Sequence, residues 1–448
     1  MTNALSDITD ILLQAARKAG ADHADAIAVE GQSISVDVLN GALEHAERSE
    51  GTDIGLRVFI GQRTAIASSS DTRADTIAQM AERAVAMAKE APDDPWACQA
   101  QAGEFTTAFD LASLELEDPS PEPSPTDLEE DARRAEAAAQ AISGVSQVQS
   151  SSAGYGTSRI HLATSAGFAG GYGRSNRGTS CVAITGTGTE MERDYYGDSR
   201  IFQSDLITPE EIGRIAAERA VARANARKPA TGTYPVIFDE RISSSLIGHL
   251  LGAVNGASVA RGSSWAKDCI GEQVLPDHMS LTENPHRPRV GGSRPFDAEG
   301  LATTSRNIIE NGILTGWTLD LATARQLGME STANASRGTS SGPSPTSGNA
   351  ALTQGNQTLN ELLRDMGTGL LVTSMIGSTI NPNTGDYSRG ASGFWIENGE
   401  IQYPVNECTI AGNLRDMLKR IIPANDARMH LSRNVPSLMI EGMTLAGS

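Results

Sequence analysis

The sequence predicts an α+β protein, with N-terminal domains of helix and antiparallel sheet followed by a mostly β C-terminal domain. Three observations predict it. Apolar residues at helical spacing alternate with strand-like runs through the first half of the chain. The stretch Asp118-Pro119-Ser120-Pro121-Glu122-Pro123-Ser124-Pro125 interrupts that pattern as an extended linker or surface loop, because proline lacks the N–H that helices and central strands need. Beyond residue 231, apolar runs are separated by glycine-rich turns. At 448 residues the chain is too long for one simple core. The expected division is an N-terminal α+β domain over 1–117, a middle α+β domain over 118–230 and a β-rich C-terminal domain over 231–448.

Taken in order, residues 4–19 read as an amphipathic helix with Leu5, Ile8, Ile11, Leu12 and Ala15 on one face. Strands follow over 25–29, 33–39, 55–60 and 64–68, the last two flanking Gly61-Gln62. A second helix covers 72–91, where Ile77, Met80, Ala81, Ala84, Met87 and Ala88 recur at helical spacing. After the proline stretch come a helix over 126–142 and short strands over 145–188. Thr208-Pro209-Glu210-Glu211 opens another helix: Thr208 caps, Pro209 suits the first helical position and Glu211 completes a capping box. A strand at 234–238 precedes a helix over 240–254. Asn398-Gly399, between Phe394-Trp395-Ile396 and Ile401-Gln402-Tyr403, supplies the two positive-φ residues of a type I′ hairpin. Asn311-Gly312 repeats that solution. Residues 331–358 are polar, glycine-rich and nearly devoid of large apolar side chains, which predicts a mobile loop.

Charge and composition exclude several functions. The formal net charge is −19, and no Lys/Arg-dense segment stands out, so nucleic-acid and anionic-membrane binding are disfavoured. Cys98, Cys181, Cys269 and Cys408 form no CxxC pair, a pattern that fits a reducing compartment. Acidic residues occupy the place where a signal peptide carries basic ones, and no run approaches 18 apolar residues. A cytoplasmic setting is expected.

Few motifs carry chemistry. Gly338-Thr339-Ser340-Ser341-Gly342 matches GxSxG, but it lacks the preceding apolar strand and following helix of a nucleophile elbow. Asp277, His278, Glu283 and His286 could ligate a metal, yet they sit in a polar, proline-containing loop and read as solvated side chains. No nucleotide-binding loop is found.

The wording GTGL…TGDYSRGASGFWIENGEIQYPVNE…IAGNL, over residues 367–413, closely resembles the C-terminal domain of the TldD/PmbA family. Within it the chain is similar to the PmbA (TldE) branch, whose members partner a zinc-bearing TldD subunit in a cytosolic metalloprotease. In the catalytic branch a helix carries HExxxH, two histidine ligands and the glutamate that activates water. The resemblance aligns that motif with Ser244, Ser245 and His249. Serine stands for the first ligand and for the general base, and residues 433–448 contain no cysteine. The implied chain has no catalytic residue, no metal site and no cofactor of its own. Zinc belongs to a TldD-type partner, and His249 is a packed or hydrogen-bonded residue. Asp386, Tyr387 and Arg389, in the turn Asn383–Gly390, then have two open readings: a structural turn, or part of the wall of a peptide chamber. The resemblance further implies a heterodimer enclosing extended peptide substrates, such as leader peptides or small unstructured proteins. A metal-free homodimer that binds peptides alone is the alternative, and the family's association with DNA gyrase modulation sits poorly with the acidic charge.

Overall fold

Two long hairpins build the first half of the protein, which a computed structural model describes over residues 4–447. The first pairs His23–Leu39 with Ala42–Ile60 around Asn40-Gly41, both at positive φ. The second pairs Val145–Thr164 with Ala169–Thr185. His23–Leu39 also pairs with Val145–Thr164, so all six strands form one antiparallel sheet. Its order is Arg63–Ser69, Ala42–Ile60, His23–Leu39, Val145–Thr164, Ala169–Thr185, Glu192–Arg200.

Period-two alternation assigns the two faces. Ala24, Ala26 and Ala28 bury against Ile8 and Leu12 of the helix Leu5–Ala19 and against Ile77, Met80 and Ala84 of the helix Ala74–Glu90. Further along the same face, Ile34, Val36 and Val38 meet Leu128 and Ala132 of the helix Pro125–Gln140. The helix Pro209–Ala222 covers the far end through Ile212, Ala216 and Ala220. The opposite face, carrying Asp25, Ile27, Ser33 and Ser35, turns toward the C-terminal half.

That half is built on a closed barrel. Glu400–Asn413, Asp386–Glu397, Gly369–Ile380, Gly232–Phe238 and Leu438–Ala446 are neighbours in that order, and the last pairs back with the first. Gly232–Phe238 runs parallel to Gly369–Ile380, while the other barrel pairings are antiparallel. Closure removes the unpaired sheet edges. The helix Glu240–Ala253 sends Leu246, Ile247 and Leu250 into the barrel core beside Trp395, Val405, Ile410 and Leu438. A smaller five-stranded sheet stands alongside, containing the hairpin at Asn311-Gly312.

The α+β architecture and both Asn-Gly hairpins are as expected: Asn398 and Gly399 have φ of 52° and 78°, and Glu397 pairs with Glu400. Four details differ. Residues 42–51 form strand although every one is exposed, because the backbone ladder to Gly31–Leu39 holds them without a buried face. Thr208 caps its helix, but Glu211 turns to Arg214 and closes no capping box. Glu283 is not solvated: it is buried, paired with Arg306 at 3.0 Å and bonded by Asn334 at 2.9 Å. Residues 331–358 do not stand free. Asn334, Ala335, Asn349 and Ala350 are buried, Arg337 pairs with Asp25, and the Thr339 backbone lies against Gly55, where any side chain would collide with it. Polar contacts and short bridges supply the order that apolar residues do not.

Candidate functional site at the helix Glu240–Ala253

The helix begins where Asp239 accepts the Arg241 N–H at 3.0 Å, a local N-cap. Its apolar stripe faces the barrel, which leaves Ser245, Gly248, His249 and Gly252 on the other side. Two glycines there leave the helix surface open. His249, Trp265, Ile380, Pro382 and Leu414 line a cavity of about 210 Å³ over it.

Within this site the Ser245 hydroxyl donates to the Ile242 carbonyl at 2.7 Å, so it is committed to its own helix. Ser244 is half-buried. The His249 ring stands edge-on to Tyr387, with centroids 6.0 Å apart, and its buried Nε2 has no hydrogen-bond partner among the described residues. Burial lowers the His249 pKa, and the positive charges of Arg389 and Arg433 lower it further. Arg433 lies against the same turn, its Nη1 2.8 Å from where a Cβ on Gly248 would stand. Two guanidiniums, that of Arg433 exposed to solvent, thus stand near enough to act on the one imidazole, and the neighbouring hydroxyls are neutral. Such a set suits an anion and opposes a divalent cation.

The residues of the Asn383–Gly390 turn divide. Asp386 is exposed and accepts from Thr384 at 2.7 Å and Asn413 at 2.9 Å; those hydrogen bonds hold its carboxyl below the usual carboxylate range. Tyr387 is buried in the barrel core, where burial pushes its hydroxyl up to about 12 despite the Arg389 charge. Arg389, on the same strand face as Tyr387, donates to the Gly377 carbonyl at 2.8 Å. Tyr387 and Arg389 therefore join His249, whereas Asp386 belongs to the turn.

Elsewhere, the loop residues with metal-capable side chains do not converge. His278 lies 3.4 Å from the adjacent Asp277 carboxylate, His286 bonds Thr303 at 3.0 Å, and Glu283 is spent on Arg306. No group of three or more His, Cys, Asp or Glu able to hold a metal ion occurs among the described residues. Gly338–Gly342 forms a turn in which Ser341 accepts the Gly338 N–H. It joins the two-residue strands Ala335–Ser336 and Ser344–Pro345, and no helix follows the serine.

Two elements of the surroundings carried no sequence signal. Arg433 meets His249 only because the short strand Arg433–Asn434 pairs with Ala350–Leu352 beside the helix. A groove also runs along the open face of the large sheet. Ser35, Ser152, Gly154, Gly178 and Ser180 line one cavity there of about 450 Å³ beneath Arg428 and His430. Small side chains at alternate strand positions keep it open.

Sequence models of three domains match the chain: PmbA/TldA metallopeptidase domain 1 over residues 24–88, its central domain over 118–224 and its C-terminal domain over 231–447. The chain belongs to this PmbA/TldD metallopeptidase family, in the PmbA (TldE) branch. It is 37% identical to Metalloprotease PmbA of Escherichia coli O157:H7, over 95% of this chain and 92% of that one. It is likewise 37% identical to the Metalloprotease PmbA homolog of Haemophilus influenzae, over 99% and 96%. In three dimensions it superposes on TldE from Thermococcus kodakarensis with a TM-score of 0.84 at 21% identity, covering 98% of this chain and all of that one, a likeness of fold. No helix among the described residues is long and apolar enough to cross a membrane.

Proposed function

We propose that this chain is the wall-forming, non-catalytic subunit of a two-subunit cytoplasmic metalloprotease that processes unfolded or leader peptides. The observation that carries the reading is the helix Glu240–Ala253. At the family's metal position it holds Ser244, a Ser245 hydroxyl bonded to its own backbone, and a His249 faced by two arginines. Neutral hydroxyls neither hold zinc nor take a proton at neutral pH, and the guanidinium charges repel a cation. Zinc and the water-activating carboxylate would come from a TldD-type partner. The Ser- and Gly-lined groove supports the wall role, since an extended peptide can lie along it with little demand on its side chains. Direct contact with nucleic acid forms no part of this reading.

The test is co-purification with a TldD-type subunit, followed by metal analysis and cleavage of an unfolded peptide. The chain alone is expected to hold no tight zinc and to cleave nothing, and the mixture to cleave. About one zinc held per isolated chain and lost on His249→Ala would overturn the proposal. So would failure of the two subunits to associate, which would leave the homodimeric peptide binder.

A further inference from the structure

Three groups near one face of the helix Glu240–Ala253 carry no ion pair among the described residues: His249 and Arg389, both half-buried, and Arg433, which is exposed. His249 Nε2 is buried and unbonded among the described residues. Arg389 spends one N–H on a backbone carbonyl and is paired with no carboxylate among the described residues. Arg433 has no ion-pair partner among them either, although many arginines of the chain do. Their positions converge. Arg433 lies against Gly248, one residue before His249, and Arg389 follows Tyr387 on the same strand face, with the Tyr387 ring edge-on to the His249 ring. Beyond His249 lies the cavity of about 210 Å³, closed by Trp265, Ile380, Pro382 and Leu414. Two arginines with no carboxylate partner among the described residues thus stand near a mostly apolar hole large enough for one side chain.

We propose that this corner of the barrel binds a peptide's terminal carboxylate. His249, Arg389 and Arg433 hold the carboxylate, and the Trp265-lined cavity takes an apolar last side chain. The inference rests on the reading of this chain as a peptide-handling subunit and names which part of the peptide it handles. Guanidinium donors match a carboxylate better than any other group a peptide carries, and an apolar side chain beside a free carboxylate occurs only at the C-terminus. The serines that stand for the first metal ligand and the general base then have a positive counterpart: the same helix face holds an anion.

The experiment uses the isolated chain with labelled histidines and follows the His249 imidazole by NMR, its signal assigned by loss in His249→Gln. N-acetyl-leucine is the probe, and N-acetyl-leucinamide, the same molecule without the charge, is the control. Saturable movement of the His249 signal is expected with the acid and not with the amide. Arg389→Gln and Arg433→Gln should each weaken the acid by about tenfold or more, the lower range for a hydrogen bond to a charged group. Gly248→Ala should weaken it too, because the added methyl displaces Arg433 without removing its charge. That variant keeps the test decisive should either arginine variant misfold by circular dichroism. Equal responses to acid and amide, no response to the acid, or discrimination surviving the double arginine variant would overturn the inference. So would equal binding of N-acetyl-glutamic acid α-amide, which offers only a side-chain carboxylate. The readout needs no second subunit, so failure to activate a TldD-type partner would leave this site standing, and the converse holds.

Discussion

Replacing Asp25 by asparagine tests how the two halves of the protein are held together. Asp25 sits on the face of the large sheet that meets the C-terminal half and is 2% exposed. One carboxylate oxygen accepts from Arg57 Nε at 2.8 Å and Nη2 at 2.6 Å. The other pairs with Arg337, whose side chain is 0% exposed. Burial alone would raise the Asp25 pKa, but the charges and hydrogen bonds of both arginines outweigh it and hold the carboxyl below its ordinary value. The neutral amide introduced by Asp25→Asn would deprive the Arg57 and Arg337 guanidiniums of the carboxylate they share. Breaking a buried pair from one side costs about 3–5 kcal/mol. For units of this size each kcal/mol moves the melting temperature by about 2–4 °C, so a fall of roughly 6–20 °C is expected. Calorimetry of Asp25→Asn, Arg337→Met and the double variant measures it. Because both single changes break the same contact, the double variant should lose clearly less than their sum. The carboxyl is held low, so its contribution is complete above the ordinary pKa and is lost as pH falls through the folded-state value. A melting temperature within about 2 °C of wild type for Asp25→Asn, or simple additivity in the cycle, would refute the buried clamp.

Single contacts elsewhere can be tested in the same way. Gly399→Val places a β-branched residue at φ +78° with its Cβ 2.7 Å from the Arg364 Cα; the strained backbone alone costs about 1–3 kcal/mol. Urea midpoints should show a larger loss than for Gly61→Val, where φ is +57° and nothing lies within 4 Å, and equal losses would discount the Arg364 contact. His161 bonds Thr9 at 2.8 Å, and burial lowers its pKa against the opposing charge of Asp10. Its folded form binds a proton less readily than the unfolded one, so stability is complete above 6.5 and falls as pH drops towards the folded-state value. Urea denaturation at pH 7.5 and 5.5 should show a shallower loss for His161→Gln, and an unchanged slope would contradict this. Under the proposed function, Ser245→Ala should leave the activity of the mixture with a TldD-type subunit within a few-fold, whereas loss of a true general base costs about 10²–10⁴-fold; a collapse of activity would return Ser245 to the chemistry.

What was legible in the sequence was local. Asn398-Gly399 and Asn311-Gly312 specify their turns because positive φ at two adjacent residues is decided by those residues themselves. The amphipathic helices declare which face is buried. The strand at 42–51 escaped because its order comes from a ladder to a distant neighbour and not from any apolar alternation of its own. Glu283 escaped because its burial depends on Arg306 and Asn334, which reach it only after the smaller sheet and the polar loop have folded. The site shows the same division. His249 stands out in the sequence as the residue that the resemblance aligns with the last position of HExxxH, but the two arginines near it come from a barrel strand and from a short bridge near the C-terminus. Residue type and spacing encode backbone conformation and burial. Which charges meet is decided by long-range pairing: the barrel strand Asp386–Glu397 brings Arg389 near the imidazole, and the parallel bridge to Ala350 brings Arg433.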